Sequence, residues 1–255
     1  MGRILAIANQ KGGVGKTTTA INLAASFAAA EVRTLLVDTD PQANSSSGIG
    51  FSREQDTARL SSYEVLSGSC LAVEAIISTE MEDLDLLPAS KHLIGGAIEL
   101  VEAERREFRL RDALAAVRDD YEYIVIDCPP ALDLLTLNAL VAADAVVVPM
   151  QAEYFALEGV SELLGTLNSI REAFNPAIEI DAVVLTMYDE RTNLAQQVAA
   201  NLREYFGDKM CVTTIPRNIR LAEAPSYGKP VLLYDPRSKG AESYIRLAKE
   251  LMGRH

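Results

Sequence analysis

The chain has 255 residues, enough for one large α/β domain or two smaller ones with a substantial buried core. It carries 24 Lys and Arg against 36 Asp and Glu. This net charge of −12 argues against a protein coated in basic nucleic-acid contacts, although it does not exclude a local basic patch. The three cysteines are widely spaced without a CxxC pair, which favours a reducing cytoplasm over a disulfide framework or a zinc site. We expect no signal peptide, because a glycine-rich stretch occupies the region where its apolar segment would lie. We expect no membrane span, because no apolar run approaches the roughly 20 residues that a bilayer requires.

Strands and helices alternate in the predicted secondary structure. Runs of apolar, often β-branched residues predict strands at residues 3–8, 33–37, 84–88, 123–127, 145–149, 178–185 and 212–215. Apolar residues at helical spacing predict helices at residues 18–30, 108–117, 134–142, 157–174, 194–206 and 242–252. The small polar residues 44–52 predict a loop, and residues 54–107, with 12 acids against 4 bases, predict short helices with a solvated acidic face. The alternation predicts one domain over residues 1–255, an α/β fold with a doubly wound, mostly parallel sheet flanked by helices.

The first motif is a glycine-rich stretch, QKGGVGKT at residues 10–17, between a predicted strand and a predicted helix. This order forms a phosphate-binding loop, because glycines let successive backbone N–H groups point at an anion and the helix start adds its positive dipole end. Lys16 is placed to reach the β- and γ-phosphates of a nucleotide, and the Thr17 hydroxyl to bind Mg²⁺. The ordinary G-x-x-x-x-G-K-[ST] pattern has glycine at the position of Gln10, and Lys11 is poorly placed to serve the same phosphates as Lys16.

Three aspartates end or follow predicted strands. Asp38 and Asp40 follow the second strand, and Asp127 ends the strand at residues 123–127. Open α/β sheets bind ligands at the carboxyl ends of their strands, so all three are predicted to converge on the phosphate loop. Asp127 is suited to hold Mg²⁺ through water. If the chain stays extended, the side chains of Asp38 and Asp40 point the same way. One of them can then interact with the metal while the other positions a water for attack.

Several segments together resemble the ParA/Soj branch of the deviant Walker-A ATPases. They are KGGVGKT at 11–17, VDTDPQ at 37–42, IDCPP at 126–130, PMQAEYFALEG at 149–159, LTMYDERTNL at 185–194 and the stretch at 215–244. The resemblance covers nearly the whole chain and is weakest across residues 52–83. It implies a P-loop ATPase that uses ATP and Mg²⁺, hydrolyses ATP slowly to ADP and phosphate, and acts in chromosome or plasmid partitioning.

On matching positions, the resemblance implies a site completed by a second copy of the chain. Lys11 would cross an ATP-bound homodimer to the partner's phosphates, and Gly12 would lie where the two loops meet, so that a side chain there should block closure. The catalytic residues would be Lys11, Lys16 and Asp40, and the metal site would involve Thr17, Asp38 and Asp127. The nucleotide would contact Lys11, Gly12, Gly13, Val14, Gly15, Lys16, Thr17, Thr18, Pro216 and Asn218.

Residues 217–240 hold five basic residues against two acidic ones, although the whole chain is acidic. Composition alone does not separate a DNA-binding patch from ordinary solvated arginines. The resemblance implies that the ATP-bound dimer binds double-stranded DNA without sequence preference, through Arg191, Arg217, Arg220 and Lys229. It also implies a ParB-like centromere-binding partner that stimulates hydrolysis, and a cytoplasmic, nucleoid-associated location without membrane binding.

Two alternatives share the same scaffold. A MinD-like membrane-associated ATPase would need a basic amphipathic C-terminal helix that lies on lipid, whereas the apolar residues at 244–252 favour packing in the core. A metabolic P-loop synthetase would need groups that act on its own substrate, for which Cys128 and His92 are the candidates. Cys128 is predicted to be a small buried packing residue, and His92 to lie on the surface.

Overall fold

The computed structural model describes residues 1–51, 60–153 and 156–254. Within these ranges the strands are β1 (Arg3–Ile7), β2 (Thr34–Asp38), β3 (Ile77–Ser78), β4 (Leu84–Leu87), β5 (Tyr123–Asp127), β6 (Ala145–Met150) and β7 (Glu179–Leu185). The α-helices are α1 (Lys16–Ala28), α2 (Asn44–Gly48), α3 (Ser62–Ser67), α4 (Ala72–Ala75), α5 (Leu93–Glu99), α6 (Arg109–Leu114), α7 (Leu134–Ala142), α8 (Ala156–Ala173), α9 (Asn193–Phe206), α10 (Ile219–Glu223), α11 (Val231–Tyr234) and α12 (Lys239–Met252).

The strands form one sheet in the order β3-β4-β2-β5-β1-β6-β7. Every neighbouring pair is parallel except β3 and β4, which confirms the predicted doubly wound, mostly parallel α/β fold. The strand β5 lies between β1 and β2, and Asp127 is paired in register with Ile7 on one side and Asp38 on the other. The loop after β1 therefore begins beside Asp38 and Asp127, the last residues of β2 and β5. The loop and both aspartates lie at the same edge of the sheet, formed by the carboxyl ends of the strands.

Both faces of the sheet are covered by helices, so successive strand residues point into two different cores. In β1, Ile4 and Ala6 belong to the core under α7, α8 and α9, whereas Leu5 and Ile7 belong to the core under α1 and α12. In the second core the Tyr244 hydroxyl lies 3.1 Å from Thr19 Oγ1, which ties α12 to α1. The apolar side of α12 is thus buried, as expected for a helix that packs in the core. Among the helices described, none is long and apolar enough to cross a bilayer.

The prediction of a strand at residues 212–215 is wrong. One isolated bridge joins Met210 to Val183 of β7, and another joins Pro216 to Tyr188, three residues beyond the end of β7. The N–H groups of Val212 and the following residue donate to the Glu250 carboxylate of α12, and the Val212 side chain is 89% exposed. The carboxylate therefore replaces the carbonyl acceptors that a continuous strand would need.

The predicted loop at residues 44–52 is also wrong in its first part. Residues Asn44–Gly48 form the short helix α2, whose serines 45 and 46 are completely buried. Serine is a common residue in turns, so composition favoured a loop here. The hydroxyls instead bond the buried aspartates of β2 and β5, an interaction between distant segments that local composition does not report.

Two glycines allow a matched test of backbone strain. Gly228 has φ of +64°, and a Cβ built there would lie 2.8 Å from the Cα atom of Gly50. We expect Gly228→Ala to lower the free energy of unfolding by about 1–3 kcal/mol, because it adds both strain and a clash. Gly165, inside α8, would meet no atom within 4 Å, so Gly165→Ala should raise stability by about 0.5–1 kcal/mol. Denaturant unfolding of both variants measures this, and equal effects would contradict it.

Candidate functional site

The loop between β1 and α1 has backbone angles that require glycine. Gly13 and Gly15 have φ of +75° and +85°, in the left-handed region that other residues rarely adopt. Their position directly ahead of α1 leaves the first N–H groups of that helix pointing into the loop. The loop borders a cavity of about 310 Å³ lined by Gly12, Gly13, Gly15, Lys16, Thr17, Thr18, Asp40, Pro130 and Met187.

The two lysines of the loop occupy different environments. Lys16 lines the cavity and is only 7% exposed, and its Nζ donates to the Lys11 carbonyl at 3.1 Å. Burial lowers the pKa of Lys16, and the nearest acids act in the opposite direction. Lys11 does not line this cavity; its ammonium pairs with Glu153 at 2.5 Å, and both side chains are substantially exposed. Lys16 is therefore buried at the loop, whereas Lys11 lies outside the cavity.

Asp38 and Asp127 lie side by side and are completely buried. Asp38 accepts three hydrogen bonds, from the N–H and the hydroxyl of Ser46 and from the N–H of Asp40. Asp127 Oδ2 accepts from Ser45 Oγ at 2.7 Å, whereas its Oδ1 is buried without a hydrogen-bond partner among the described residues. Burial raises the pKa of both carboxyls, and the neighbouring charge of Asp38 raises that of Asp127 further. The site therefore disfavours two negative charges side by side unless a cation compensates them.

Asp40 is separated from Asp38 by a turn of the chain. The strand β2 ends at Asp38, and the N–H of Asp40 donates back to Asp38 Oδ1 at 3.0 Å. The strand does not continue to Asp40, so the condition under which Asp38 and Asp40 were expected to lean the same way is not met. Asp40 lines the cavity beside the loop, and Asp38 does not. The turn assigns the two aspartates different surroundings: Asp38 holds the N-terminal turn of α2, and Asp40 faces the space next to Lys16 and Thr17.

The residues present fit a Mg²⁺ ion that is bound largely by phosphate and water. Thr17 lines the cavity, and its hydroxyl is near enough to Asp127 to lower the pKa of that carboxyl. Asp127 Oδ1 is buried and makes no close hydrogen bond among the described residues, so it can accept one from a metal-bound water. The described ranges contain no group of three or more His, Cys, Asp or Glu residues that could hold a metal by themselves. Mg²⁺ commonly keeps several waters and binds one or two carboxylates together with substrate phosphates, so a sparse protein contribution suits it.

The predicted adenine and DNA residues lie away from this cavity. Asn218 caps α10 by accepting from the Arg220 N–H at 2.8 Å, and Pro216 forms an isolated bridge to Tyr188. Of the four predicted DNA contacts, three have acidic partners in ion pairs: Arg191 with Asp189, Arg220 with Glu223 and Lys229 with Glu80. Arg217 is exposed, and within the described chain it has no such partner. The basic stretch is thus partly neutralised by local acids.

Several residues of the site escaped prediction. The sequence predicted a loop at Ser45 and Ser46, although two serines seven and eight residues beyond the strand-end Asp38 are consistent with the observed bonds. Met187 lines the cavity with φ of +49°, an unusual conformation for a residue with a side chain, and no sequence signal marked it. Gln10, which replaces the usual glycine, donates from Nε2 to Thr166 Oγ1 of α8 at 2.9 Å.

The buried carboxylates predict a pH dependence of stability. An acid whose pKa is raised by folding keeps its proton to higher pH in the folded state, so it lowers stability as the pH rises above about 4. We expect Asp127→Asn to stabilise the nucleotide-free protein by at least about 1 kcal/mol near pH 8, and by less near pH 4.5. Thermal unfolding without metal measures this, with the exposed Asp208→Asn as control. A gain that does not grow with pH would contradict the expectation.

Comparisons with known proteins agree with this geometry. A family model described as an AAA domain matches residues 2–180. The chain is 54% identical over 254 residues to the chromosome partitioning protein ParA of Caulobacter vibrioides, covering 99% of this chain and 94% of that protein. It is 51% identical over 253 residues to the chromosome-partitioning ATPase Soj of Thermus thermophilus, covering 99% and 96%. The structure of cobyrinic acid a,c-diamide synthase from Mycobacterium smegmatis with bound ADP and magnesium superposes with a TM-score of 0.85 at 35% identity, covering 99% of this chain and 94% of that one. The predicted resemblance is confirmed, and the chain belongs to the ParA/Soj family of chromosome partitioning proteins.

Proposed function

We propose that the protein is an ATP-dependent switch in chromosome or plasmid partitioning. ATP binding joins two copies, the dimer binds DNA without sequence preference, and slow hydrolysis returns the copies to the unbound state. The observation that carries the proposal is the division between the two loop lysines. Lys16 is buried at the cavity, and Lys11 lies outside it with an exposed ion pair to Glu153. An outward lysine at the front of a phosphate loop is suited to reach a nucleotide held by another copy.

The cavity residues support ATP and Mg²⁺ as ligands and ATP hydrolysis as the reaction. The Thermus relative is named an ATPase, and the Mycobacterium structure contains ADP and magnesium. Lys16 and the N–H groups that begin α1 would bind the phosphates, while Thr17 and Asp127 would hold Mg²⁺, which neutralises charge on the phosphates. A bound cation would also relieve the charge crowding between Asp127 and Asp38.

Asp40 would orient the attacking water. Its Oδ1 accepts the N–H of Gln42 at 2.8 Å, and its Oδ2 makes no hydrogen bond within the described ranges. One oxygen is therefore held while the other can accept a hydrogen bond from water. A carboxylate is a modest base for this chemistry, so orientation of the water is its main contribution and turnover is slow.

Gly12 supports a closely approached dimer at the loop. A Cβ built on Gly12 meets no atom within 4 Å, so its own chain leaves room for a side chain. Packing within one copy therefore does not explain the glycine. Close approach of a second copy at this position would explain it. We propose that two loops meet there and that each Lys11 leaves Glu153 to contact the partner's phosphates.

DNA binding would follow from pairing two modest basic patches. One copy offers few cations free of acidic partners, so its affinity for phosphates is weak. A dimer doubles the number of contacts, and affinity rises steeply with that number. The dimer would then associate with the nucleoid, and a ParB-like protein bound at centromere sequences would stimulate hydrolysis and release it.

The alternative functions have less support. The apolar side of α12 packs in the core, which leaves little for a lipid surface. Cys128 is 1% exposed and burial raises its pKa, so it is a poor nucleophile for a synthetase. His92 lies at the surface with its ring against that of Tyr63, away from the cavity. Neither candidate side chain lines the space beside the phosphate loop.

DNA binding across nucleotide states tests the switch. We expect duplex DNA to bind at least about tenfold more tightly with a non-hydrolysable ATP analogue than with ADP at moderate salt. Gly12→Val should bind nucleotide with an unchanged melting curve but should neither dimerise nor gain DNA affinity, because the new side chain obstructs closure. Asp40→Ala is the matched control: it should dimerise and bind DNA but hardly turn over. Fluorescence anisotropy with sedimentation measures these outcomes, and equal DNA affinity with ADP and ATP analogue would refute the switch.

The ion pairs predict a ranking among the basic residues. Arg217 needs to break no ion pair, whereas Lys229 must leave Glu80 before it reaches a phosphate. Arg217→Ala should therefore weaken DNA binding more than Lys229→Ala. Loss of one contact from each copy should reduce the steepness of log affinity against log salt by about 2 for the dimer. Arg191→Ala with Arg220→Ala should weaken DNA binding and leave ATP-driven dimerisation intact. Lys209→Ala, which removes a partly exposed cation paired with Glu179 at the start of β7, is the control and should leave DNA affinity unchanged.

A further inference from the structure

Ser45 joins the first turn of α2 to the aspartate that ends β5. Its hydroxyl donates to Asp127 Oδ2 at 2.7 Å, and both residues are completely buried. The partners are 82 positions apart in the chain, so the fold and not the local sequence creates this bond. A helical serine often donates to the carbonyl four residues back, as Ser47 does to the Ala43 carbonyl at 3.0 Å. Ser45 instead gives its one donor to a carboxylate of the proposed Mg²⁺ site.

Ser46 anchors α2 through contacts that do not involve Asp127. Its N–H and its hydroxyl both donate to Asp38 Oδ2, at 2.8 and 2.7 Å. The same hydroxyl oxygen accepts the N–H of Ala89, in the segment after β4, at 2.9 Å. These three hydrogen bonds hold the helix against the sheet. Ser45 is therefore presented to its aspartate from a position that other contacts fix.

The chain adopts an unfavourable backbone conformation where it enters α2. Ala43, directly ahead of the helix, has φ of +46° and is 1% exposed. Residues with a side chain are strained in this left-handed region, and such strain persists only where the surrounding contacts enforce it. On its other side α2 lies close to α1, since a Cβ built on Gly48 would lie 2.6 Å from Ile21 Cδ1. Strain of this kind is typical of functional sites, which directs attention to what α2 positions.

The bond from Ser45 gives the two oxygens of Asp127 different surroundings. Oδ2 accepts the hydroxyl, whereas Oδ1 is buried and makes no close hydrogen bond among the described residues. A carboxylate held at one oxygen does not rotate freely, so the direction of its other oxygen is also set. That direction matters for a hydrated Mg²⁺, because this ion demands near-ideal octahedral geometry and keeps several of its waters.

We propose that Ser45 is a positioning residue for the Mg²⁺ site: it holds Asp127 at Oδ2 so that Oδ1 is directed to a metal-bound water. The inference rests on the proposed function for the binding of Mg²⁺ and nucleotide, and it adds a residue that does not line the phosphate cavity. Hydrogen-bond partners behind a metal ligand tune metal affinity without touching the ion. Without the hydroxyl, Oδ2 would be buried without a donor and the carboxylate would lose its fixed orientation.

Nucleotide affinity as a function of Mg²⁺ concentration tests this role. Binding of a fluorescent ADP to the full chain is measured in EDTA and then along a Mg²⁺ titration. Ser45→Ala should bind ADP in EDTA as the unaltered protein does, but should need at least about tenfold more Mg²⁺ for the half-maximal rise in affinity. Ser47→Ala removes an exposed hydroxyl from the same helix and is the matched control, with an unchanged Mg²⁺ requirement.

A double-mutant cycle shows whether Ser45 acts through Asp127. Asp127→Asn alone should also raise the Mg²⁺ requirement. Ser45→Ala added to it should raise the requirement by less than about twofold further, because the group that Ser45 positions has already been changed. A structural role that is independent of Asp127 predicts instead that the two effects multiply.

The outcomes separate this inference from the proposed function. Equal Mg²⁺ requirements of Ser45→Ala and Ser47→Ala, or effects that multiply in the cycle, overturn the positioning role even where the ATP and DNA switch behaves as expected. The expected shift in Ser45→Ala supports the role even where DNA affinity is the same with ADP and ATP analogue, a result that refutes only the switch. A nucleotide affinity that does not respond to Mg²⁺ in the unaltered protein overturns both the positioning role and the proposed Mg²⁺ site.

Discussion

Two buried carboxylates on neighbouring strands constrain the whole site. Asp38 and Asp127 end β2 and β5 in register and are completely buried, so burial and their proximity oppose ionisation of both carboxyls. Such a pair is costly unless hydrogen-bond donors or a cation compensate it. The serines of α2 donate hydrogen bonds to both carboxyls and provide part of this compensation. The short helix is therefore held against the sheet by the same carboxyls that the proposed Mg²⁺ site involves. The fold of residues 44–48 and the electrostatics of the site therefore depend on the same two carboxyls.

The phosphate loop brings positive charge to the site. It gathers N–H groups and the Lys16 ammonium at a cavity that Asp40 also lines, so positive and negative groups border the same space. A magnesium nucleotide, with anionic phosphates and a cation, is complementary to that arrangement. Lys11 does not take part in it. Its exposure and its ion pair with Glu153 leave it available to a partner, which is the basis of the proposed dimer.

Much of the fold could be predicted because its signals are local. Buried parallel strands such as β1 and β5 are nearly continuous apolar runs, and the loop at residues 10–17 has a spacing that few other structures need. The failures share a cause. The strand expected at 212–215 was prevented by Glu250, some forty positions away, and α2 formed because its serines bond aspartates of two strands. The turn that separates Asp40 from Asp38 and the position of Met187 likewise depend on long-range packing, which single-residue patterns do not encode.

The Lys11–Glu153 contact has a consequence for reversibility. If Lys11 reaches across to another copy, it exchanges one anionic partner for another, and the number of ion pairs does not increase. The net electrostatic gain of that step is then small, although the contact itself is short. Association would be governed by the nucleotide and by closure of the two loops, and each copy would keep an internal substitute for its lost partner. Such an exchange favours repeated cycles over a long-lived assembly.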